Sequence, residues 1–84
     1  MDSLSTGFYY AVVMSDPKTQ FGNAVRKRRL ELSISQEKLA EKSKLHRTYI
    51  ADVERGQRNI SLENIVKLVK SLNLSLEEFF AKYF

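Results

Sequence analysis

Three serines, Ser35, Ser61 and Ser75, each stand directly before an apolar repeat of helical spacing, and Gly56 and Asn73 each stand directly after one. A hydroxyl in that place accepts a backbone N–H of the first turn, and glycine or asparagine supplies the left-handed residue that closes a last turn. From Lys18 onward the chain is therefore cut into short helices joined by brief polar turns. Phe21, Val25 and Leu30, extended by Leu32, put an apolar stripe on a first helix over about Thr19 to Leu32, with Arg26 to Arg29 around the remaining arc. A second runs from Gln36 to Ser43 and buries Leu39 and Ala40, the small Ala40 marking a close crossing. Lys38 occupies the position where an acid would complete a capping box, so Ser35 caps through its hydroxyl alone. A third spans about His46 to Arg55, and Gly56 ends it at positive φ. A fourth covers Leu62 to Leu72, with Glu63 in its first turn and Lys70 near its end. The last follows Ser75 and carries Glu77 and Glu78 in its first turn, as the helix dipole prefers. Five short helices, and no β-rich run after residue 20, predict an all-α five-helix bundle.

Residues 1–20 read as a separate arm, with the helical domain taken as 21–84. Gly7 to Met14 is apolar, aromatic and β-branched, too short to span a bilayer and without the basic flank and cleavage site of a secretory signal. Its composition favours extended structure, and Asp16-Pro17 is expected to break the chain before any helix. A strand paired with a symmetry mate, a segment packed on the helical body and a frayed tail all remain open, as does translation starting at Met14.

At 84 residues the chain is one domain with a modest core, which a partner subunit would help stabilise. It has no cysteine, which excludes disulfides and thiolate metal sites and fits a reducing cytoplasm, and its single His argues against a metal centre. Residues 26–58 hold ten Lys or Arg against five Asp or Glu, while residues 59–84 hold three of each. The positive excess thus sits in one internal block, as expected of a surface meeting phosphate, although a solvated basic face has the same signature.

The third helix lies inside that block and has two faces. At about 100° per residue, with Arg47 at zero, Thr48, Ala51, Asp52 and Arg55 fall within an arc of roughly 140°, and Tyr49, Ile50 and Val53 lie opposite. The second group is core. The first is short and mostly polar, and Ala51 in its middle permits close approach. Its leading end joins free backbone N–H groups to His46, Arg47 and Thr48, an arrangement that suits an anion and fits a helix lying in a DNA major groove.

Ser35 to Asn59, "SQEKLAEKSKLHRTYIADVERGQRN", resembles the helix-turn-helix of the Cro-like, or XRE, family of bacterial and phage repressors, and the apolar frame continues through the last two helices. "HRTYI" with "ERGQRNIS" in so short a chain further resembles the controller proteins of restriction-modification systems. The resemblance implies a phage-repressor DNA-binding fold and a set of roles. Gln36 would contact phosphate and brace the recognition helix, with a plain helix-start residue the alternative. Arg47, Thr48 and Asp52 fall where base edges are read, with Arg47 the guanine reader through its bidentate fork. Tyr49 is either core or half core and half phosphate contact. Arg29 and Glu54 match an internal ion pair between the first and third helices. Arg55, Arg58 and Asn59 would touch the sugar-phosphate backbone and sometimes the minor groove, with a solvated loop the alternative for Arg58 and Gln57, and His46 would cap the helix first and donate to phosphate second. Lys44 and Ser33 stand where the family often has glycine, which predicts non-glycine residues at positive φ.

Phe79, Phe80, Tyr83 and Phe84 place more aromatic surface on one terminal helix than a small domain covers alone. One of Phe79 and Phe80 is expected to finish the core, and Leu76, Phe80, Tyr83 and Phe84 to form a two-fold dimer interface, which would set two recognition helices on a palindromic site. The expected function is sequence-specific binding of double-stranded DNA by a cytoplasmic homodimer that regulates transcription, with RNA polymerase a possible second partner, and with no cofactor, membrane or catalysis. An antitoxin or other protein-interaction module, using the aromatic helix or the arm, is the competing class. Catalysis is disfavoured because Glu31, Glu37, Glu41, Glu63, Glu77 and Glu78 are scattered without a base or nucleophile, and RNA binding lacks an aromatic platform.

Overall fold

The computed structural model describes residues 16–84, and among them the regular elements are five helices: α1 (Pro17–Glu31), α2 (Gln36–Ser43), α3 (Arg47–Glu54), α4 (Leu62–Ser71) and α5 (Leu76–Tyr83). The extended segment expected over Gly7 to Met14 lies outside the described residues. The all-α expectation holds for the rest, and none of these helices is long and apolar enough to cross a membrane.

Every helix starts on a side-chain acceptor. Ser35, Ser61 and Ser75 cap α2, α4 and α5 as their spacing predicts, and Ser75 and Glu78 form a reciprocal capping box. The start of α1 corrects the expected boundary near Thr19. Asp16 and Pro17 do not break the chain but begin the helix: the Asp16 carboxylate accepts from Lys18 N at 2.8 Å, and Pro17 occupies the first turn, where its missing N–H costs nothing. α1 therefore crosses the expected division between residues 20 and 21. Four helix ends close through a left-handed residue, Ser33, Lys44, Gly56 and Asn73, with φ of 57°, 60°, 72° and 63°. At α3, Gly56 N bonds to Val53 O and Gln57 N to Asp52 O, which satisfies the last carbonyls of the helix.

The core is drawn from all five helices and the turn after α4: Phe21, Ala24 and Val25, Leu39 and Ala40, Ile50 and Val53, Leu68, Val69 and Leu72, and Phe79. Leu30 is a second correction. It is 52% exposed, and Leu32 packs against the core instead, because at about 100° per residue Leu30 falls roughly 180° from Phe21 and Leu32 within about 20° of it. α1 lies hard against the end of α3. A Cβ on Gly22 would stand 2.1 Å from the Val53 carbonyl oxygen, so only glycine allows this backbone-to-backbone approach. α3 is thereby gripped by α1 on one side and by α2 on another.

Candidate nucleic-acid interface

The α2–α3 turn sets the direction of the recognition helix. Lys44 is left-handed at φ 60° and ψ 31°, Leu45 N returns to Ala40 O at 3.1 Å, and the half-buried Leu45 side chain plugs the corner. His46 is the N-cap of α3 rather than its first residue, its Nδ1 accepting from Thr48 N at 3.4 Å, and Arg55 is the C-cap rather than the last helical residue. The helix is thus shorter by one residue at each end than expected, because both ends are capping positions.

The two faces separate as the wheel predicts. Ile50 and Val53 are buried and Tyr49 is half-buried, whereas Arg47, Thr48 and Arg55 are exposed, with Arg58 and Asn59 exposed just beyond. Arg47 shares a polar recess with Ser35, Gln36, Glu37 and Arg29 at the start of α2. Arg47 makes no ion pair among the described residues, so its guanidinium fork is available to an external acceptor.

Beneath this face Arg29 and Glu54 are joined. Arg29 Nε donates to Glu54 Oε2 at 2.7 Å and Nη2 donates to Oε1 at 3.0 Å, a bidentate pair, while Nη1 reaches the Ile34 carbonyl at 2.9 Å. The Glu54 hydrogen bond holds the Arg29 guanidinium above its usual basic range against the opposing effect of burial. Gln36 Nε2 donates to Glu54 Oε1 at 3.1 Å, so one amide proton braces α2 on α3 and the other remains for an external acceptor.

Tyr49 is held at its hydroxyl and over its ring. Its hydroxyl accepts from Asn64 Nδ2 at 3.0 Å, and the Arg58 guanidinium lies 4.8 Å from the ring centroid. The hydroxyl proton stays available to a phosphate. Asn64 was not singled out from sequence, since nothing in a helix pattern signals a bond across fifteen residues to another helix. Asp52, half-buried on the same face, is paired with two arginines. Its Oδ1 pairs with Arg55 Nη2 and its Oδ2 lies 3.4 Å from Arg58 Nε.

The C-terminal helix divides its aromatics. Phe79 is fully buried and packs on Phe21 at 5.6 Å, while Phe80 and Phe84 are 37% and 53% exposed and meet edge to face at 5.1 Å. Leu76 and Tyr83 are half-buried against the core, and the Tyr83 hydroxyl bonds to Glu31. Phe80 and Phe84 border an apolar groove with Pro17, Phe21, Ile60 and Ile65.

The arrangement has known counterparts. The helix-turn-helix family profile matches residues 25–79. The chain is 58% identical over 55 residues to control protein C.BamHI of Bacillus amyloliquefaciens, which spans 64% of this chain and 68% of that one. It is 42% identical over 69 residues to control protein C.MunI of Mycoplasma sp, across 81% of this chain and 93% of the relative. Among solved structures, the restriction-modification controller protein C.AhdI from Aeromonas hydrophila superimposes with a TM-score of 0.72 at 46% identity, covering 75% of this chain and 96% of that one. The controller protein C.Esp1396I, solved as a tetramer in complex with its natural 35 base-pair operator, gives a TM-score of 0.76 at 37% identity, with coverages of 80% and 88%.

Proposed function

Because the chain belongs to the helix-turn-helix family, we propose that it is a sequence-specific double-stranded DNA-binding regulator of transcription, acting as a homodimer on a palindromic operator in the manner of a restriction-modification controller. The observation that carries this is the solvated face of α3: Arg47 and Thr48 stand exposed at its leading end, Arg55, Arg58 and Asn59 at its trailing end, and its opposite side is core. Arg47 and Thr48 read base edges, while Gln36, His46, Tyr49, Arg55, Arg58 and Asn59 hold the sugar-phosphate backbone. The C.Esp1396I complex with its operator supports DNA as the ligand class. The exposed rings of Phe80 and Phe84, with the groove beside them, support a two-fold contact in which Leu76 and Tyr83 take part at the rim. The site of action is DNA in the cytoplasm. RNA polymerase is the second partner of this proposal, since a regulator seated beside a promoter meets it directly.

Selection of bound fragments from a random duplex pool tests the function in one experiment. The expected product is an inverted repeat whose half-sites lie about one helical turn, roughly 34–36 Å, apart. A pool that stays random after selection refutes sequence readout. Sedimentation at micromolar concentration tests the dimer, and a monomer under those conditions refutes it. Transcription in vitro with purified polymerase, with and without the protein, tests the effect on initiation.

A further inference from the structure

Asp52 is the one acid on the outward arc of α3, and both of its oxygens are engaged by cations that follow it in the chain: Oδ1 by Arg55 Nη2, Oδ2 by Arg58 Nε at 3.4 Å. Its side chain is 23% exposed, against 56% and 46% for the two arginines, so the carboxylate sits below the guanidinium groups it holds. The contacts extend outward from it. Arg58 lies over the Tyr49 ring at 4.8 Å, Tyr49 is fixed by Asn64 at 3.0 Å, and Arg55 Nε donates to Gln57 Oε1 at 3.5 Å. Two of the three cations on this face are therefore partly neutralised and posed by one carboxylate, whereas Arg47 carries no such partner.

We propose that Asp52 is a specificity-determining residue that works as an internal stand-in for phosphate: it holds Arg55 and Arg58 in a fixed pose and restrains them from binding DNA indiscriminately. The proposal rests on the DNA-binding function above and deepens it. Indiscriminate binding comes from cations that displace counterions at phosphates, whatever the sequence. For Arg55 or Arg58 to do so, each must give up part of its pairing with Asp52 and bring phosphate towards a fixed negative charge. That exchange is unfavourable on an arbitrary duplex. It is offset where the groove accepts Arg47 and Thr48, because the two arginines then meet phosphates from the pose they already hold. Specificity gained by penalising the wrong partner is the physical sense of the arrangement. Asp52 is thus a positioning residue acting through Arg55 and Arg58, and not a reader of a base edge.

The test compares the wild type with Asp52→Asn, Asp52→Glu and the control Glu77→Gln, which removes a charge from the exposed first turn of α5. Each is titrated with a random-sequence duplex and with a duplex selected by the wild type, over a range of NaCl concentrations. Asp52→Asn is expected to bind the random duplex about three- to tenfold tighter, to steepen the salt slope by about one to two, and to lower the selected-to-random ratio by a similar factor. Asp52→Glu restores weak random binding, and Glu77→Gln leaves the slope unchanged. In the free protein, the Arg58 Nε–H resonance exchanges faster with solvent in Asp52→Asn than in the wild type. An Asp52→Asn protein whose random-duplex affinity and slope match the wild type or the Glu77 control overturns the proposal. So does a loss confined to the selected duplex that is relieved by changing one base pair, the signature of a base reader. A wild type that binds duplexes without preference refutes the sequence-specific function, while the random-duplex slopes still decide the role of Asp52; a wild type that binds no duplex refutes both.

Discussion

Replacing Arg29 by methionine removes three donors at once: Nε and Nη2, which hold Glu54 at 2.7 and 3.0 Å, and Nη1, which reaches the Ile34 carbonyl. The Glu54 side chain is only 3% exposed, so the stranded carboxylate keeps Gln36 at 3.1 Å and little water. Breaking a buried pair from one side costs about 3–5 kcal/mol. A chain of 84 residues has roughly 4–13 kcal/mol of stability in total, so one substitution removes a large share of it. Replacing both partners by methionine strands no charge and costs about 1.5 kcal/mol or less. Urea unfolding followed by helical circular dichroism separates the two cases. With a slope of about 1–1.5 kcal/mol per molar, Arg29→Met moves the midpoint down by about 2–5 M, and adding Glu54→Met recovers most of that shift. A single-variant shift below about 0.5 M, or a double variant that loses the sum of the two singles, refutes the reasoning. The raised Arg29 pKa sets the sign with pH: its contribution is complete below the unfolded value and is lost only as pH rises through the higher folded one, so midpoints agree between about pH 6 and pH 9.

The remaining predictions concern the reading face, the two close glycines and the last helix. Arg47→Ala lowers affinity for the selected operator by about 1–3 kcal/mol and relaxes sequence preference, whereas Arg58→Ala leaves the preferred sequence unchanged, weakens the selected duplex more than a random one because Asp52 already restrains Arg58 on the latter, and flattens the salt slope on the selected duplex, as read by fluorescence anisotropy. Gly22→Ala drives a methyl into the Val53 and Glu54 carbonyls, which are backbone and have no room to yield, and costs about 3 kcal/mol or more by thermal unfolding. Gly56→Ala combines strain at φ 72° with a clash at Thr19, and costs about 1–3 kcal/mol in the same measurement. The Tyr83 hydroxyl holds the Glu31 carboxyl below the ordinary range, and the Ser75 backbone N–H does the same for Glu78. Both contributions are present above the ordinary value of 4.5 and are lost as pH falls through the depressed ones, so amide protection in α5, taken relative to intrinsic exchange at each pH, should fall on acidification before that of α2 to α4.

Much of the scaffold was legible in the residues because helix ends are chemical events confined to a few positions. Ser35, Ser61, Ser75 and Gly56 do locally what their side chains allow, and the positive φ of Ser33 and Lys44 follows from the turn that the helix-turn-helix pattern requires. The alternation of core and solvent around α3 follows from 3.6 residues per turn. Asp16-Pro17 is ambiguous as sequence because a cap followed by proline at the first turn and a chain break are the same two letters; only the following hydrogen bonds, Lys18 to the carboxylate and Gln20 to the Asp16 carbonyl, tell them apart.

What the residues determined alone is therefore one-dimensional: where each helix starts and stops, which arc of α3 is apolar, and that a basic block surrounds it. The tertiary structure decided which ring of the last helix is used, seating Phe79 rather than Phe80, because that choice depends on how α5 is seated against the other helices. It also decided that Gly22 is a contact point and that Asp52 faces two arginines while Arg47 stands without an acidic partner. Pairings of this kind depend on the angle and distance between elements, which are set by the packed core as a whole and are not encoded in any one segment.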